Sequence, residues 1–392
     1  MEKFIKQRVL DEESNIQFGE GGAGSYSDGK LFSRIKNTGY NTKALDTFIK
    51  FGAPKEIAYL GRPHLGTDVL CGIIKNIRAY ILNRGGEINY SSKMTDIITR
   101  DNRAAGVVIN GSKEYYSNHI FIAIGHSARD TFEMLSGKGL FLEQKPISIG
   151  MRLEHPAEII NLLRYGKKYK DFPNIGAANY SFTYNNRQKN RGVFTFCMCP
   201  GGEVINASSS AGRLVVNGMS FSDRANYFTN AAIVVTCHKT DYGSEHPLAG
   251  IKFQQEIERR AFELGGGDYK APAQNLVDYL ENRESKCLNT NSFKMGVQPA
   301  DMRKLFPPFI NESLKEAFRK WRPEEPLFVS EHGLLIGAET RTSSPVRITR
   351  DEKYESLNIK NIFPIGEGSG YAGGITSAAA DAIKAVATVL SD

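Results

Sequence analysis

The segment NIFPIGEGSGYAGGITSAAADAIKAV, Asn361 to Val386, constrains the fold of this chain more than any other stretch. Its apolar start, its glycine-rich middle and its alanine-rich end predict a buried strand, a tight turn and a helix that begins at Ile375 or Thr376. Glycine lets a backbone approach a ligand closely, and the first turn of a helix offers unpaired N–H groups and the positive end of its dipole. Gly368-Ser369-Gly370-Tyr371-Ala372-Gly373 has the G-x-G-x-x-G spacing of a dinucleotide-phosphate turn. Such a turn normally opens a βαβ unit that carries an acid about 20 residues later to grip a ribose. This chain ends before any such strand. The residues alone therefore leave two readings, an anion cradle or a turn used only for close packing.

A second match, GEGGAG from Gly19 to Gly24, lacks the context a phosphate fingerprint needs. The preceding ESNIQF is a poor buried strand, and the following SYSDGKLFSRI is a poor helix start. It reads instead as a tight loop whose exposed amides can line an anionic ligand.

With 392 residues, 41% hydrophobic and 24% charged, the chain can bury a sizeable core and form two domains or one domain with an insertion. The net charge of +7 is spread among acids, and the densest basic run, RYGKKYKDF (Arg164 to Phe172), reads as a solvated face, so nucleic acid is not an expected partner. No run approaches the roughly 18 apolar residues of a membrane span, and MEKFIKQRVL lacks the apolar block of a signal peptide. A cytoplasmic location is the expectation. Five irregularly placed cysteines fit a reducing compartment.

Thr67 to Leu82 has helical spacing, stopped by Gly85-Gly86, and Glu87 to Gly125 reads as a small β-meander with a turn at Asn110-Gly111. It closes on HIFIAIG, an almost wholly apolar strand suited to a sheet covered on both faces, with a ligand at the strand's C-terminal end. Beyond about Gly150 come β-rich pieces and then helices around Phe253 to Leu264 and Leu314 to Trp321, which predict a mixed α+β domain. ETRTSSPVRI, Glu339 to Ile348, is polar and extended, after which the doubly wound pattern returns. The expected boundaries are 1–149, 150–338 and 339–392, the middle portion inserted into the domain formed by the other two.

His126 is a candidate proton donor, although a histidine after a sheet strand also serves to satisfy local backbone; His64 and His155 stand equally. Cys197 and Cys199, two apart on a strand, share a face and invite a redox reading. Against it, C-x-C is not C-x-x-C and its disulfide is strained, and no second pair accompanies it at metal-ligand spacing. Arg341, Ser343, Ser344, Arg347 and Arg350 form a cationic, hydroxyl-rich stretch that fits a substrate carboxylate or a cofactor phosphate, or a salt-bridged connection between domains.

Six blocks together carry a resemblance: NIQFGEGGAGSYSDGKLFSR (Asn15 to Arg34), HLGTD (His64 to Asp68), GHSARD (Gly125 to Asp130), FCMCPGGE (Phe196 to Glu203), ETRTSSPVRITR (Glu339 to Arg350) and GEGSGYAGGITS (Gly366 to Ser377). They are similar to those of the large bacterial NAD(P)/FAD-dependent oxidoreductases of unassigned substrate, whose FAD domain resembles that of the glutathione-reductase superfamily. The resemblance implies an α/β fold: an incomplete Rossmann-like FAD/NAD(P)-binding domain with a β-meander and an inserted α+β substrate domain. It makes the C-terminal strand, turn and helix the second FAD-binding element. It also implies that the first G-x-G-x-x-G unit is missing here, so that the chain is truncated and an N-terminal companion chain is a partner to look for.

By the same resemblance Gly19, Gly21, Gly22, Gly24, Ser27, Asp28 and Lys30 lie near the pyrophosphate or flavin, and Gly125, His126 and Ser127 lie on the adenosine side. Gly366, Glu367, Gly370, Gly373, Gly374 and Ile375 lie at the flavin end. The implied activity is hydride transfer between FAD and a small organic substrate, with NAD(P)H as a second partner. The alternative is a non-catalytic remnant or partner subunit that holds flavin weakly or not at all. No metal and no membrane enter either reading.

Overall fold

Strand Ile147–Pro156 is the axis of the molecule in a computed structural model that describes residues 2–31, 39–172 and 174–391. Phe32 to Arg34, the end of the first resemblance block, lie outside the described residues. The strand is the fourth of a seven-stranded sheet ordered Val297–Pro299, Ala271–Asn275, Leu334–Glu339, Ile147–Pro156, Phe228–Cys237, Arg191–Cys199, Thr183–Asn186. Every neighbouring pair is antiparallel except the first.

Alternation along this strand explains its two faces. Ile149, Met151 and Leu153 enter a core with Ile233, Leu305, Leu314, Phe318 and Trp321. The last three lie on helix Pro308–Glu324, whose buried residues Ile310, Leu314, Ala317, Phe318 and Trp321 recur at helical spacing. The opposite face carries Gly150, Arg152 and Glu154 and is crossed by the hairpin Glu203–Asn206 and Val216–Met219, with Asn217 bonded to Arg152.

Glu154 and His155 sit side by side at the end of this strand, both buried. Burial pushes the Glu154 carboxyl up to about 7, against the two hydrogen bonds it accepts from Ser292. Burial also lowers His155 to about 4, and its Nε2 lies 2.9 Å from the Phe328 carbonyl oxygen. The signs oppose. A carboxyl with a raised folded pKa gains stability as pH falls from 7 to its ordinary 4.5. A histidine with a depressed one loses stability as pH falls from its ordinary 6.5 to 4. The two cancel in the shared window, so Glu154→Gln should uncover a loss of about 1.4 kcal/mol per pH unit below pH ~6.5. Urea melts of both proteins across that range check this, and parallel pH curves would contradict it.

Helix Gly66–Asn83 is followed by a chain reversal in which Gly86 N donates to Ile81 O at 3.0 Å. The meander is Met94–Arg100, Arg103–Ile109 and Lys113–Tyr116, and Asn110 and Gly111 turn it with φ of +52° and +75°. Both central residues of a tight hairpin turn need such values, which asparagine and glycine tolerate best. HIFIAIG then yields strand Ile120–Ile122, which pairs in parallel with Ile362–Pro364 alone. The expected broad parallel sheet is thus a two-stranded ladder among the described residues. One side of it packs on Phe132, Leu135 and Ile348, the other on helix Ile375–Val389 through Ile365 and Ala385. The second edge of Ile120–Ile122 carries no strand among the described residues. No helix among them is long and apolar enough to cross a membrane.

Candidate functional site

The glycine segments, far apart in the chain, meet at one junction. A Cβ on Gly24 would lie 3.3 Å from the Ile375 side chain, and Thr376 Oγ1 donates to Leu31 O at 2.8 Å. Gly368 is pressed against the Gly125 backbone so closely that a Cβ would collide with it. His126 Nδ1 is 3.6 Å from Glu367 Oε2, and Ser127 Oγ donates to Gln17 Oε1 at 3.0 Å. Gly19, Gly21, Gly22, Gly125, Gly366 and Gly370 all have positive φ. Gly21 is further fixed by Ile74 and Ser25, which leave no room for a side chain. By contrast, a Cβ on Gly19, Gly22, Gly125 or Gly373 would meet nothing within 4 Å. Helix Ile375–Val389 starts at Gly374 with no side-chain cap, and the buried atoms Ser25 Oγ and His126 Nε2 have no hydrogen-bond partner. Buried polar groups normally have partners. Open backbone and orphaned polar atoms therefore occur together.

The N-terminal segment also reaches the large sheet. Lys30 Nζ donates to Asp28 Oδ2 at 2.7 Å and to Met198 O. Asp28 is fully buried and also accepts from Arg224 Nη2 at 2.6 Å, Arg224 Nε at 3.1 Å and Ser220 Oγ. Burial works against its charge, but Lys30 and Arg224 outweigh it and hold the carboxyl below its usual range.

Met198 lies between Cys197 and Cys199, where the sheet is irregular. Asn230 opposes Cys199 and Ala232 opposes Phe196, so Cys197 and Met198 share a single opposite residue, and Cys197 has φ of +44°. Such a bulge re-aims side chains. The simple alternation expected for the two cysteines therefore fails: Cys199 is buried and Cys197 is half-buried. Arg152 Nη1 donates to Cys197 O at 2.8 Å and is 3.9 Å from Cys199 Sγ, which itself lies 3.3 Å from Cys197 O. The Cys197 thiol is held well below its ordinary value by its hydrogen bond with Cys199, and then by Lys30 and Arg152, against burial. Cys199 is correspondingly pushed up.

Residues 146–342, half of the chain, match the family described as FAD-dependent protein, C-terminal domain-like. A protein of Clostridium beijerinckii, described only as uncharacterized, is 45% identical over 386 residues, covering 98% of this chain and 72% of its own length. The chain belongs to this FAD-dependent family.

Solved structures similar to this family member include an oxidoreductase from Methanosarcina mazei (10% identity, TM-score 0.33, 98% of this chain and 70% of that one). Others are a flavocytochrome c3 fumarate reductase (10%, 0.34, 90% and 62%) and a flavin-dependent brominase (12%, 0.34, 84% and 56%). The chain spans less than two thirds of the last two, and likenesses at these TM-scores carry no argument about it.

In this member of the FAD-dependent family the Arg341 to Arg350 stretch is not a single open anion site. Arg341 is buried, with Nη1 donating to Ser209 Oγ at 2.6 Å and Ser127 Oγ at 3.1 Å, and Nε and Nη2 each 3.2 Å from Glu258. Ser344 Oγ donates to Val346 O at 2.7 Å, and Ser343 is half-buried beside it. Arg347 pairs with Glu143 at 2.9 Å, while Arg350 pairs with Asp381 at 2.6 Å between the Tyr354 and Tyr371 rings. Each guanidinium has its own carboxylate, which scatters the cluster. His155 belongs to the core, its ring tilted by 31° against that of Phe328. His64 lies by the site, its Nε2 3.2 Å from Ser222 O, and burial followed by Arg224 keeps its pKa low. Sequence reasoning missed Arg152, Arg224 and the Arg129–Glu258 pair. The only available signal was charge within buried apolar runs, as in ISIGMRLEHP.

Proposed function

We propose that this chain is the larger part of a cytoplasmic FAD-dependent oxidoreductase, in which residues 1–149 and 339–392 hold the flavin and residues 150–338 close over a small organic substrate. The single observation that carries this reading is the meeting of residues 19–30, 125–127 and 366–375, with open glycine backbone beside the orphaned Ser25 Oγ and His126 Nε2. Backbone of Gly19, Gly22, Gly125, Gly373 and Gly374, with Ser25 and His126, would hold the cofactor. FAD when bound supplies hydride transfer. The chain's own part is to present N–H donors to negative charge, to hold a proton at His126 beside Glu367, and to exclude water with the hairpin and helices above. NAD(P)H as the reductant belongs to this proposal as an element that only kinetics can test.

Titration of the purified chain with FAD tests it: bands near roughly 370 and 450 nm should survive dialysis. Gly22→Val forces a β-branched residue into φ of +58°, a strain of about 1–3 kcal/mol, and should weaken FAD five- to hundredfold. Equal affinity in the variant would remove this loop from the site. The second reading, a subunit that needs an N-terminal companion, is favoured by the strandless edge of Ile120–Ile122. In that case FAD is retained only after a companion βαβ unit is supplied.

A further inference from the structure

We propose that Cys197 and Cys199 form a thiol pair that reduces hydroperoxides, with Cys197 as the attacking sulfur, Cys199 as the resolving sulfur and Lys30 as the proton donor. The inference stands independently of any flavin.

The arrangement differs from that of a cysteine that merely fills a core. Cys237, on the strand next to the central one and opposite Ile147, shows the latter: it is buried, its Sγ lies 3.6 Å from Val235 O, and burial pushes its thiol up to about 12. Cys197 instead occupies a bulge in left-handed backbone and is only half-buried. Cations hold two successive carbonyls here, Arg152 on Cys197 O and Lys30 on Met198 O, and Arg152 Nη1 is 3.9 Å from Cys199 Sγ. Cys199 is folded back over its neighbour, 3.3 Å from Cys197 O. Positive charge next to a reachable sulfur favours the thiolate, and a second thiol next to it is what turns a first oxidation product into a disulfide. Asp28 limits the local excess of charge and fixes Lys30, while Glu339 does the same for Arg152.

In the first step the Cys197 thiolate attacks one peroxide oxygen and the O–O bond breaks. The departing alkoxide takes a proton from the Lys30 ammonium, two of whose N–H bonds are spent on Asp28 and Met198 among the described residues, and an alcohol leaves. Cys197 is then a sulfenic acid. In the second step the Cys199 sulfur attacks the Cys197 sulfur, the S–O bond breaks, and the hydroxyl leaves with the Cys199 proton as water. The two sulfurs have lost two electrons and the peroxide has gained two. A disulfide between next-but-one residues is strained and therefore readily reduced, so a small thiol such as glutathione can restore the pair.

The test uses the full chain, with the exposed Cys287 as an internal reference. A short iodoacetamide pulse at about pH 6 should label Cys197 roughly tenfold or more faster than Cys287. One equivalent of cumene hydroperoxide should remove two hydrogens from the peptide that contains both cysteines. Cys199→Ser should stop at a sulfenic acid on Cys197 that dimedone traps, and Cys237→Ser should react like the parent. Preferential labelling of Cys287, or peroxide left unconsumed by the parent chain with its thiols reduced, would overturn the assignment. So would a Cys199→Ser chain that reacts with peroxide but yields no adduct on Cys197.

Discussion

Glu258→Ala should cost this fold about 3–5 kcal/mol, the loss typical when a buried ion pair is deprived of one partner. Glu258 is fully buried on helix Ala249–Leu264 and receives both Arg129 amines at 2.6 Å, Arg341, and Thr340 Oγ1 at 2.7 Å. Arg129 begins the helix just after residues 125–127, and Arg341 follows strand Leu334–Glu339. The carboxylate thus joins the glycine junction to the large sheet. Burial opposes its charge, but the two guanidiniums overcome this and hold its pKa far below the carboxylate range. A depressed folded pKa means that the contribution is fully present above the ordinary 4.5 and is lost only as pH falls through the folded value. The variant's deficit should therefore be constant from about pH 5 to 8, because two buried guanidiniums remain without a counter-charge throughout. Urea unfolding should show a lower midpoint with an unchanged slope. A deficit under about 1 kcal/mol would mean that the arginines find water or another partner instead.

Arg152→Met should be as damaging and should also disturb the bulge. Arg152 has no exposure and donates to Glu339 Oε1 at 2.8 Å, Asn217 at 2.8 Å, Asn230 at 3.1 Å and Cys197 O at 2.8 Å. Burial works against its charge, but Glu339 and the two cysteines beside it hold the guanidinium firmly protonated. Methionine matches its bulk but leaves several acceptors and the Glu339 carboxyl unmatched; burial already pushes that carboxyl up to about 7, so the loss of about 3–5 kcal/mol is expected above that pH, where the group is charged. Adding Glu339→Gln should return much of that loss, because the uncompensated charge is removed, so the double variant should be less unstable than the two single effects summed. Strict additivity would show that the pair does not act as a unit.

Local features were legible in the sequence for local reasons. Helical spacing over Thr67 to Leu82 became Gly66–Asn83, and the Asn110-Gly111 turn took the positive φ values those residues permit. The helix expected from Ile375 or Thr376 starts at Ile375. The order of the seven-stranded sheet was not legible, because Ile147–Pro156 mixes Arg152, Glu154 and His155 with aliphatics and looks half-exposed until its neighbours are known. The bulge at Cys197 was hidden as well. It depends on a register shift against Phe228–Cys237, to which no single residue testifies. The guanidinium stretch left two readings open for a similar reason: the carboxylate that occupies Arg341 comes from 83 residues away.

The contact between Thr376 and Leu31 spans 345 residues, and it has a bearing on the order of events during synthesis. Contacts of such separation form late, since the entropy of closing the loop must be met before they reward it. On a ribosome that releases the N-terminal part first, residues 19–31 wait beside an already pairing antiparallel sheet until helix Ile375–Val389 emerges. The glycine junction is thus assembled only by a chain that has been translated through helix Ile375–Val389. Any ligand captured there would report that this helix has been made, and chains stalled before Ile375 would display residues 19–31 to chaperones and proteases.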